Sequence, residues 1–393
     1  MGKIRVMASL GTRPEGIKLA PVIKELEKRK EQIELSVCST GQHQQMLSQV
    51  LDFFEIKPDI DLELMVRNQS LAGLSAKLLD SIDGVFDRLK PDMVLVQGDT
   101  TTAFLTALAA FYKNIKVGHV EAGLRTYNKH NPFPEELNRQ FISRIADFNF
   151  VPTEKAFDNL VNEKVEPGAV FLTGNTIVDA LEWSIEKIKA DKNLIESKKW
   201  FAKVFGDRNY SADRVLLVTM HRRESFGEEI KNVCEALKTI AEKYRNLKIV
   251  YPVHLNPNVK KPVTGILSGI DNIFLIEPLS YEDFVWLMYN SYLIITDSGG
   301  VQEEAPTLKK PVLVIRKYTE RMESVEAGFS RLVGTDTGVI VDSVEQLLDD
   351  KDSYNAMLPT KNPYGDGKAS GKIADIIIKN FSGHLAAESK RRT

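Results

Sequence analysis

Short, almost continuous apolar runs recur along this chain at strand length, and the segments between them carry the 3.6-residue period of helices. The runs Ile4–Leu10, Ile33–Val37, Met93–Val96, Lys116–Val120, Phe148–Val151 and Val170–Leu172 alternate with amphipathic stretches such as Ile17–Lys30, Leu71–Leu89 and Thr101–Phe111. Strands that are apolar at every position, rather than at every second one, are buried on both faces. Strand–helix alternation then joins them in parallel. A second series, Val215–Thr219, Lys248–Val253, Ile273–Ile276, Leu293–Thr296 and Val312–Ile315, repeats the pattern without repeating the sequence. At 393 residues the chain exceeds one ordinary core. The expected fold is therefore α/β, with two parallel-sheet lobes: residues 1–175, and residues 176–367. The junction is Thr173-Gly174-Asn175-Thr176, followed by a long helix over about Ile177–Trp200 and a loop over Gly206–Asp213. A closing helix, 368–382, is expected to pack back on the first lobe.

Composition removes several classes of partner. Lys and Arg total 52 against 54 for Asp and Glu, and no basic stripe offers a nucleic-acid surface. No apolar run approaches the ~18 residues of a membrane span. The amino terminus, Met1-Gly2-Lys3-Ile4-Arg5-Val6, runs straight into a strand rather than into a leader peptide. A cytoplasmic protein is expected. Cys38 and Cys234 sit in separate apolar segments as buried free thiols, and the absence of a CxxC or Cys/His cluster argues against structural zinc.

In open parallel sheets, ligands bind beyond the carboxyl ends of the strands, and the polar clusters of this chain follow strands. Gly11-Thr12-Arg13-Pro14-Glu15-Gly16-Ile17-Lys18 is a glycine turn at a helix start, where backbone N–H groups favour an anion and Arg13 and Lys18 add charge. It is neither GxGxxG nor a Walker loop. Asp99, in Gln97-Gly98-Asp99-Thr100, reads either as a helix N-cap or as an acid/base group. Glu121 and Arg125 follow the next strand and read as an ion pair or as functional groups. Glu135 and Glu136 open a helix at its positive end, with Arg139 one turn beyond Glu135. In the second series, His221 follows a strand and precedes Arg222 and Arg223. Thr296-Asp297-Ser298-Gly299-Gly300 opens a helix suited to a diphosphate, with Glu304 placed to accept from a ribose diol. Arg316, Glu320, Arg321, Glu323 and Glu326 form a charged loop downstream.

Taken together, GTRPEGIKLAP, TGQHQQM, QGDTTTAF, HVEAGLRT, PEELNR, TGNT, HRRES, DSGGVQEEAP and TERMESVEAG resemble, in order and spacing, the non-hydrolysing UDP-N-acetylglucosamine 2-epimerases over nearly the whole chain. The resemblance implies the glycosyltransferase-B architecture, two Rossmann-like lobes with the active site in the cleft between them. It implies interconversion of UDP-GlcNAc and UDP-ManNAc without NAD or metal, a homodimer, and a place in cell-surface polysaccharide biosynthesis. It puts Asp99, Glu121, Glu135 and His221 among the catalytic groups, Arg13, Ser298, Gly299 and Glu304 on UDP, and Lys18, Arg139 and Arg321 along the cleft. Some members bind a second UDP-GlcNAc as activator, and Gln42, His43 and Gln45 match that site. Asn68 stands where those members have arginine, with Arg67 one position earlier. Ser225 replaces a usual asparagine, Lys317-Tyr318 a common Asp-Thr, and Met322 a proline.

The chemistry needs such residues. The C2 proton of GlcNAc is next to no carbonyl, so a base alone cannot remove it. Departure of UDP from C1 acidifies it and leaves a glycal. The protein has to stabilise the leaving diphosphate and place acid/base groups at both faces of C2. The alternatives are a hydrolysing epimerase, an epimerase of a modified UDP-HexNAc, a glycosyltransferase of the same fold, and a nucleotide-sugar sensor without catalysis.

Overall fold

The structure, a computed structural model, describes residues 2–41, 44–64, 70–206, 214–222, 226–319, 321–358 and 361–391, the side chains of 44–45 and 382–391 excepted. The chain divides into two compact units, Met1–Ala180 with Tyr364–Thr393, and Leu181–Pro363.

The first unit holds β1 (Ile4–Leu10), β2 (Ile33–Ser39), β3 (Ile60–Asp61), β4 (Met93–Gln97), β5 (Lys116–Val120), β6 (Phe148–Val151) and β7 (Val170–Leu172). They form one parallel sheet in the order β3-β2-β1-β4-β5-β6-β7. Every residue of β4 is buried, as a strand covered by helices on both faces requires. Met7, Val94, Val96, Val117, Ala107 and Ile142 build the core on one side. The closing helix, Ala369–Arg391, belongs to this unit. Its first turn is held by the buried Asp179 carboxylate, which accepts from Ala369 N (3.2 Å), Ser370 N (2.8 Å) and Ser370 Oγ (2.6 Å). Asp179 thus caps the helix from another segment. Burial raises its pKa against those hydrogen bonds.

The second unit holds β8 (Arg214–Thr219), β9 (Leu247–Pro252), β10 (Ile273–Ile276), β11 (Leu293–Thr296), β12 (Val312–Val314) and β13 (Ser330–Leu332). The order is β10-β9-β8-β11-β12-β13, again parallel. Its core joins Leu216, Val218, Val233, Leu237, Ile295 and Leu313. Both sheets therefore wind outward from a central pair, β1/β4 in one and β8/β11 in the other. The loops leaving those pairs flank the crevice where the strand order reverses.

Two parallel sheets bear out the fold class read from the sequence. The long helix expected over Ile177–Trp200 is instead three, Thr176–Ala190, Asn193–Glu196 and Lys199–Phe205. Asp191 ends the first by accepting Asn193 N at 3.0 Å, a local turn that competes with helix continuation. The loop expected at Gly206–Asp213 lies, after Gly206, outside the described residues.

Candidate active site

In the first unit the acid-bearing loops leave β1, β4 and β5 on both sides of the switch point. Asp99 does not cap the helix Thr101–Tyr112: Thr100 does, accepting Ala103 N at 3.0 Å. That releases the Asp99 carboxylate, which pairs with Arg139 Nη2 at 2.9 Å, while its backbone carbonyl accepts from Asn138 Nδ2 at 2.9 Å. Glu121 pairs with Lys18, both side chains being nearly buried. The Glu121–Arg125 pairing considered from the sequence does not form. Arg125 binds Glu163 through Nε and Nη2 (2.7 and 3.0 Å) and serves the scaffold. Each of these carboxylates thus stands beside a cation: Asp99 beside Arg139, which also lies 3.6 Å from Glu136, and Glu121 beside Lys18.

Glu121 is also conformationally costly. Its φ is +67°, next to the strand end, where the equivalent residue after β4 is Gly98 at φ +71°. A glutamate in the left-handed region costs about 1 kcal/mol or more, so the backbone is bent to aim this side chain. Gly123, φ +88°, follows because a Cβ there would lie 2.3 Å from Ala156 O. His119 lies within β5, fully buried, and holds Gly98 O at 2.7 Å. Burial pushes its pKa down to about 3, so it is neutral at any working pH.

Glu15 revises the reading of the first loop as a ready anion seat. Its buried carboxylate already takes Gly11 N (3.0 Å), Thr12 N (2.7 Å) and Thr100 Oγ1 (2.7 Å). The anion at this helix start is the chain's own, and it fastens the β1 loop to the β4 loop. Arg13 is half-buried and makes no hydrogen bond or ion pair among the described residues. Glu136 is a further scaffold residue: buried, it accepts Thr126 N and Tyr127 N (both 3.0 Å) and Gln140 Nε2 (2.7 Å). Glu135, half-buried, makes no such contact among the described residues.

In the second unit the site residues follow β8, β11 and β12, Arg321 coming from the loop after β12. Ser298 is the N-cap of the helix Gly299–Glu304. Beside it stand two guanidinium groups: a Cβ on Gly299 would lie 3.6 Å from Arg222 Nη2 and 3.6 Å from Arg321 Cζ. Arg321 is fixed by Glu303 Oε1 at 2.7 Å, and its backbone N–H by Thr319 Oγ1 at 3.1 Å. Thr319 in turn donates to Gln302 Oε1 at 2.7 Å. Glu304 is buried on the same helix. His221 follows β8 with its ring half-exposed, its backbone N–H and that of Arg222 donated to the buried Asp297. Two half-buried guanidinium groups beside the helix start at Ser298–Gly299 are suited to two phosphates.

Gln42 and His43 lie outside the described residues, as does the side chain of Gln45 and all of Asn68, Arg67, Arg223, Ser225 and Glu320. An open pocket of about 680 Å³ lies elsewhere, at the amino ends of β1, β4, β5 and β6. Its walls include the ion pairs Arg5–Asp92 (2.8 Å) and Lys116–Asp147 (2.6 Å), and none of the acid/base residues. Sequence reasoning gave no role to Glu15, Asn138 or Asp297. The clue for Asp297 was its place directly after a strand, the same clue that singled out Asp99.

The family model described as UDP-N-acetylglucosamine 2-epimerase matches residues 24–378. The chain is 51% identical over 376 residues to the UDP-N-acetylglucosamine 2-epimerase of Campylobacter jejuni, covering 95% of this chain and 97% of that one. It is 47% identical over 378 residues to the UDP-N-acetylglucosamine 2-epimerase of Escherichia coli strain K12, covering 96% and 99%. Among solved structures, the UDP-GlcNAc 2-epimerase from Neisseria meningitidis bound to UDP-GlcNAc superposes with a TM-score of 0.86 at 48% identity, covering 96% of this chain and all 100% of that one.

Proposed function

Because the chain belongs to the UDP-N-acetylglucosamine 2-epimerase family, we propose a division of its reaction between the two sets of residues described above. The enzyme is an isomerase that interconverts UDP-GlcNAc and UDP-ManNAc. In α-linked UDP-GlcNAc the C1–O bond and the C2–H bond are trans-diaxial. A carboxylate takes the C2 proton, its electron pair forms the C1–C2 double bond, and the C1–O pair leaves on the β-phosphate oxygen. The products are 2-acetamidoglucal and UDP. Returning UDP to C1 and a proton to the opposite face of C2 gives the manno epimer.

Asp99, Glu121 and Glu135 supply the acid/base groups, with Arg139 and Lys18 paired to the first two. Arg222, Arg321, Ser298 and Gly299 take the charge that builds on the departing diphosphate, His221 assists, and Glu304 takes the ribose. Arg13, which has no hydrogen-bond or ion-pair partner among the described residues, is assigned to the phosphates. The observation that carries this reading is the contrast at the two switch points: charge-balanced carboxylates in one sheet, guanidinium groups around a helix start in the other. The test is UDP-GlcNAc alone in D2O. One deuteron should appear at C2 of UDP-ManNAc. Product lacking deuterium, or equimolar free UDP and ManNAc, would refute it.

A homodimer is part of the same proposal. The outward positions of the helix Thr101–Tyr112 are Phe104, Leu108, Phe111 and Tyr112, the last two 58% and 68% exposed, and the helix has no charged residue. Phe141 stacks on Phe104 at 5.4 Å and continues the stripe. Such a face asks for cover. Phe111→Asp should give a monomer in sedimentation. Buried free Cys38 and Cys234 support a reducing, cytoplasmic setting, and no described helix is long and apolar enough to cross a membrane.

A further inference from the structure

Asp297 closes β11 and is fully buried. Its Oδ2 accepts His221 N and Arg222 N, both at 2.9 Å, and its buried Oδ1, which accepts no hydrogen bond among the described residues, stands at ion-pair distance, 3.4 Å, from His221 Nδ1. The two strand ends are locked together by the Thr219–Thr296 hydroxyl contact (2.6 Å) and by Asp297 N on Thr219 O (3.2 Å). Ser298, the next residue, begins the seat assigned to the diphosphate. Anchoring two amides needs only one oxygen, which an asparagine would supply. A carboxylate that is buried here brings a charge whose burial is costly unless it is answered, and the ring of His221 is placed to answer it.

We propose that Asp297 is a positioning residue that keeps the proton of neutral His221 on Nδ1, turns Nε2 outward, and stabilises the imidazolium formed when a diphosphate binds. Among the described residues, the ionisable and charged groups around the ring are Asp297, His254, whose ring stacks on it at 6.1 Å, and Arg222. Burial lowers the pKa of His221, Asp297 opposes that, and His254 and Arg222 add to it, so the ring rests neutral. His254 is kept from competing for the proton on Nδ1, because its own Nδ1 accepts Asn256 N at 3.1 Å. The second proton comes from solvent onto Nε2 as the anion arrives, and no sugar bond changes in that step. A ring charged only in the complex matches the leaving group's charge without repelling Asp297's neighbours beforehand.

The proposal rests on the diphosphate seat assigned above, so the test separates the two. In the ligand-free protein, ring-nitrogen NMR should show His221 as the Nδ1–H tautomer. In Asp297→Asn, whose carbonyl still anchors the amides, it should switch to Nε2–H. Calorimetry of UDP binding in buffers of different ionisation heat should show uptake of about one proton by the wild type and less than about half in the variant. Turnover should fall at least about tenfold with KM within about threefold. In a His221→Asn background, adding Asp297→Asn should cost less than about threefold. An Nε2–H tautomer in the wild type, or full additivity of the two losses, would overturn the proposal. Failure of UDP to bind at all would instead overturn the seat.

Discussion

The two sheets wind identically from their central strands, yet the loops at their switch points carry opposite chemistry. At β1, β4 and β5 the protruding groups are carboxylates, each of Asp99 and Glu121 balanced by one cation. After β8, β11 and β12 they are guanidinium groups and an imidazole around Ser298–Gly299; the buried Glu303 holds the Arg321 side chain, and the buried Asp297 the backbone of His221 and Arg222. On the division proposed above, the carboxylate of the first unit reacts and the cation supports it, and in the second unit the cation receives the substrate and the carboxylate supports it. On that division one topology provides two frames, and the sign of the protruding group decides whether a frame moves protons or holds phosphates.

The largest expected effect breaks that contrast on the proton side. Asp99→Asn and Glu121→Gln should each lower turnover by ~10²–10⁴, with UDP affinity within a few-fold of wild type by calorimetry. Full turnover in both would remove these residues from the acid/base set. Loss of UDP affinity together with turnover would mean the contrast between the sheets is false. On the phosphate side, Gly299→Ala is the sharper instrument. The new methyl group meets only ordinary contacts, at 3.6 Å from Arg222 and Arg321, but it occupies the space between the guanidinium groups. UDP affinity should fall about tenfold, ~1.4 kcal/mol, with the melting temperature unchanged. An unchanged affinity would move the diphosphate elsewhere.

Apolar continuity made most of the strands legible, because a strand covered on both faces cannot hide its composition. The runs Met93–Val96 and Leu293–Thr296 mark the strands beside both switch points. Strands β3 and β13, two and three residues at the sheet edges, have no such signature and exist by pairing alone. Loop positions were legible as well, since polar residues directly after strands stand out. Which of them face the ligand was not. Asp99 and Thr100 are both good caps, and only the fold shows that Thr100 takes the role and leaves the acid to pair with Arg139. Glu15 reads as a helix-start acid, and its reach to Thr100, 85 positions away, appears only when β1 and β4 are paired. The left-handed backbone of Glu121 leaves no trace in composition, because sequence normally announces that conformation with glycine.

The smallest expected effect concerns how the proton-moving frame is held, and it turns on two buried glutamates of opposite character. Burial raises the pKa of Glu136, but Thr126 N, Gln140, Arg139 and Tyr127 N outweigh it and leave the group below its ordinary value. Burial dominates at Glu15, and hydrogen bonds from Thr100, Thr12 and Gly11 do not recover it. A lowered carboxyl pKa gives stability that is complete above the unfolded-state value, about 4.3 for glutamate, and is lost as pH falls through the folded-state value. A raised one gives stability that is complete below the unfolded-state value and is lost as pH climbs to the folded-state value. Glu136→Gln should therefore cost roughly 1–3 kcal/mol at pH 7, and the deficit should shrink on acidification. The deficit of Glu15→Gln should shrink in the other direction, as pH rises from about 4. Melting temperatures of the wild type and both variants, followed from acid to neutral pH, should give difference curves of opposite slope. Parallel curves would mean that the hydrogen bonds at the 126–127 loop do not outweigh burial, and that the two acids hold this frame in the same way.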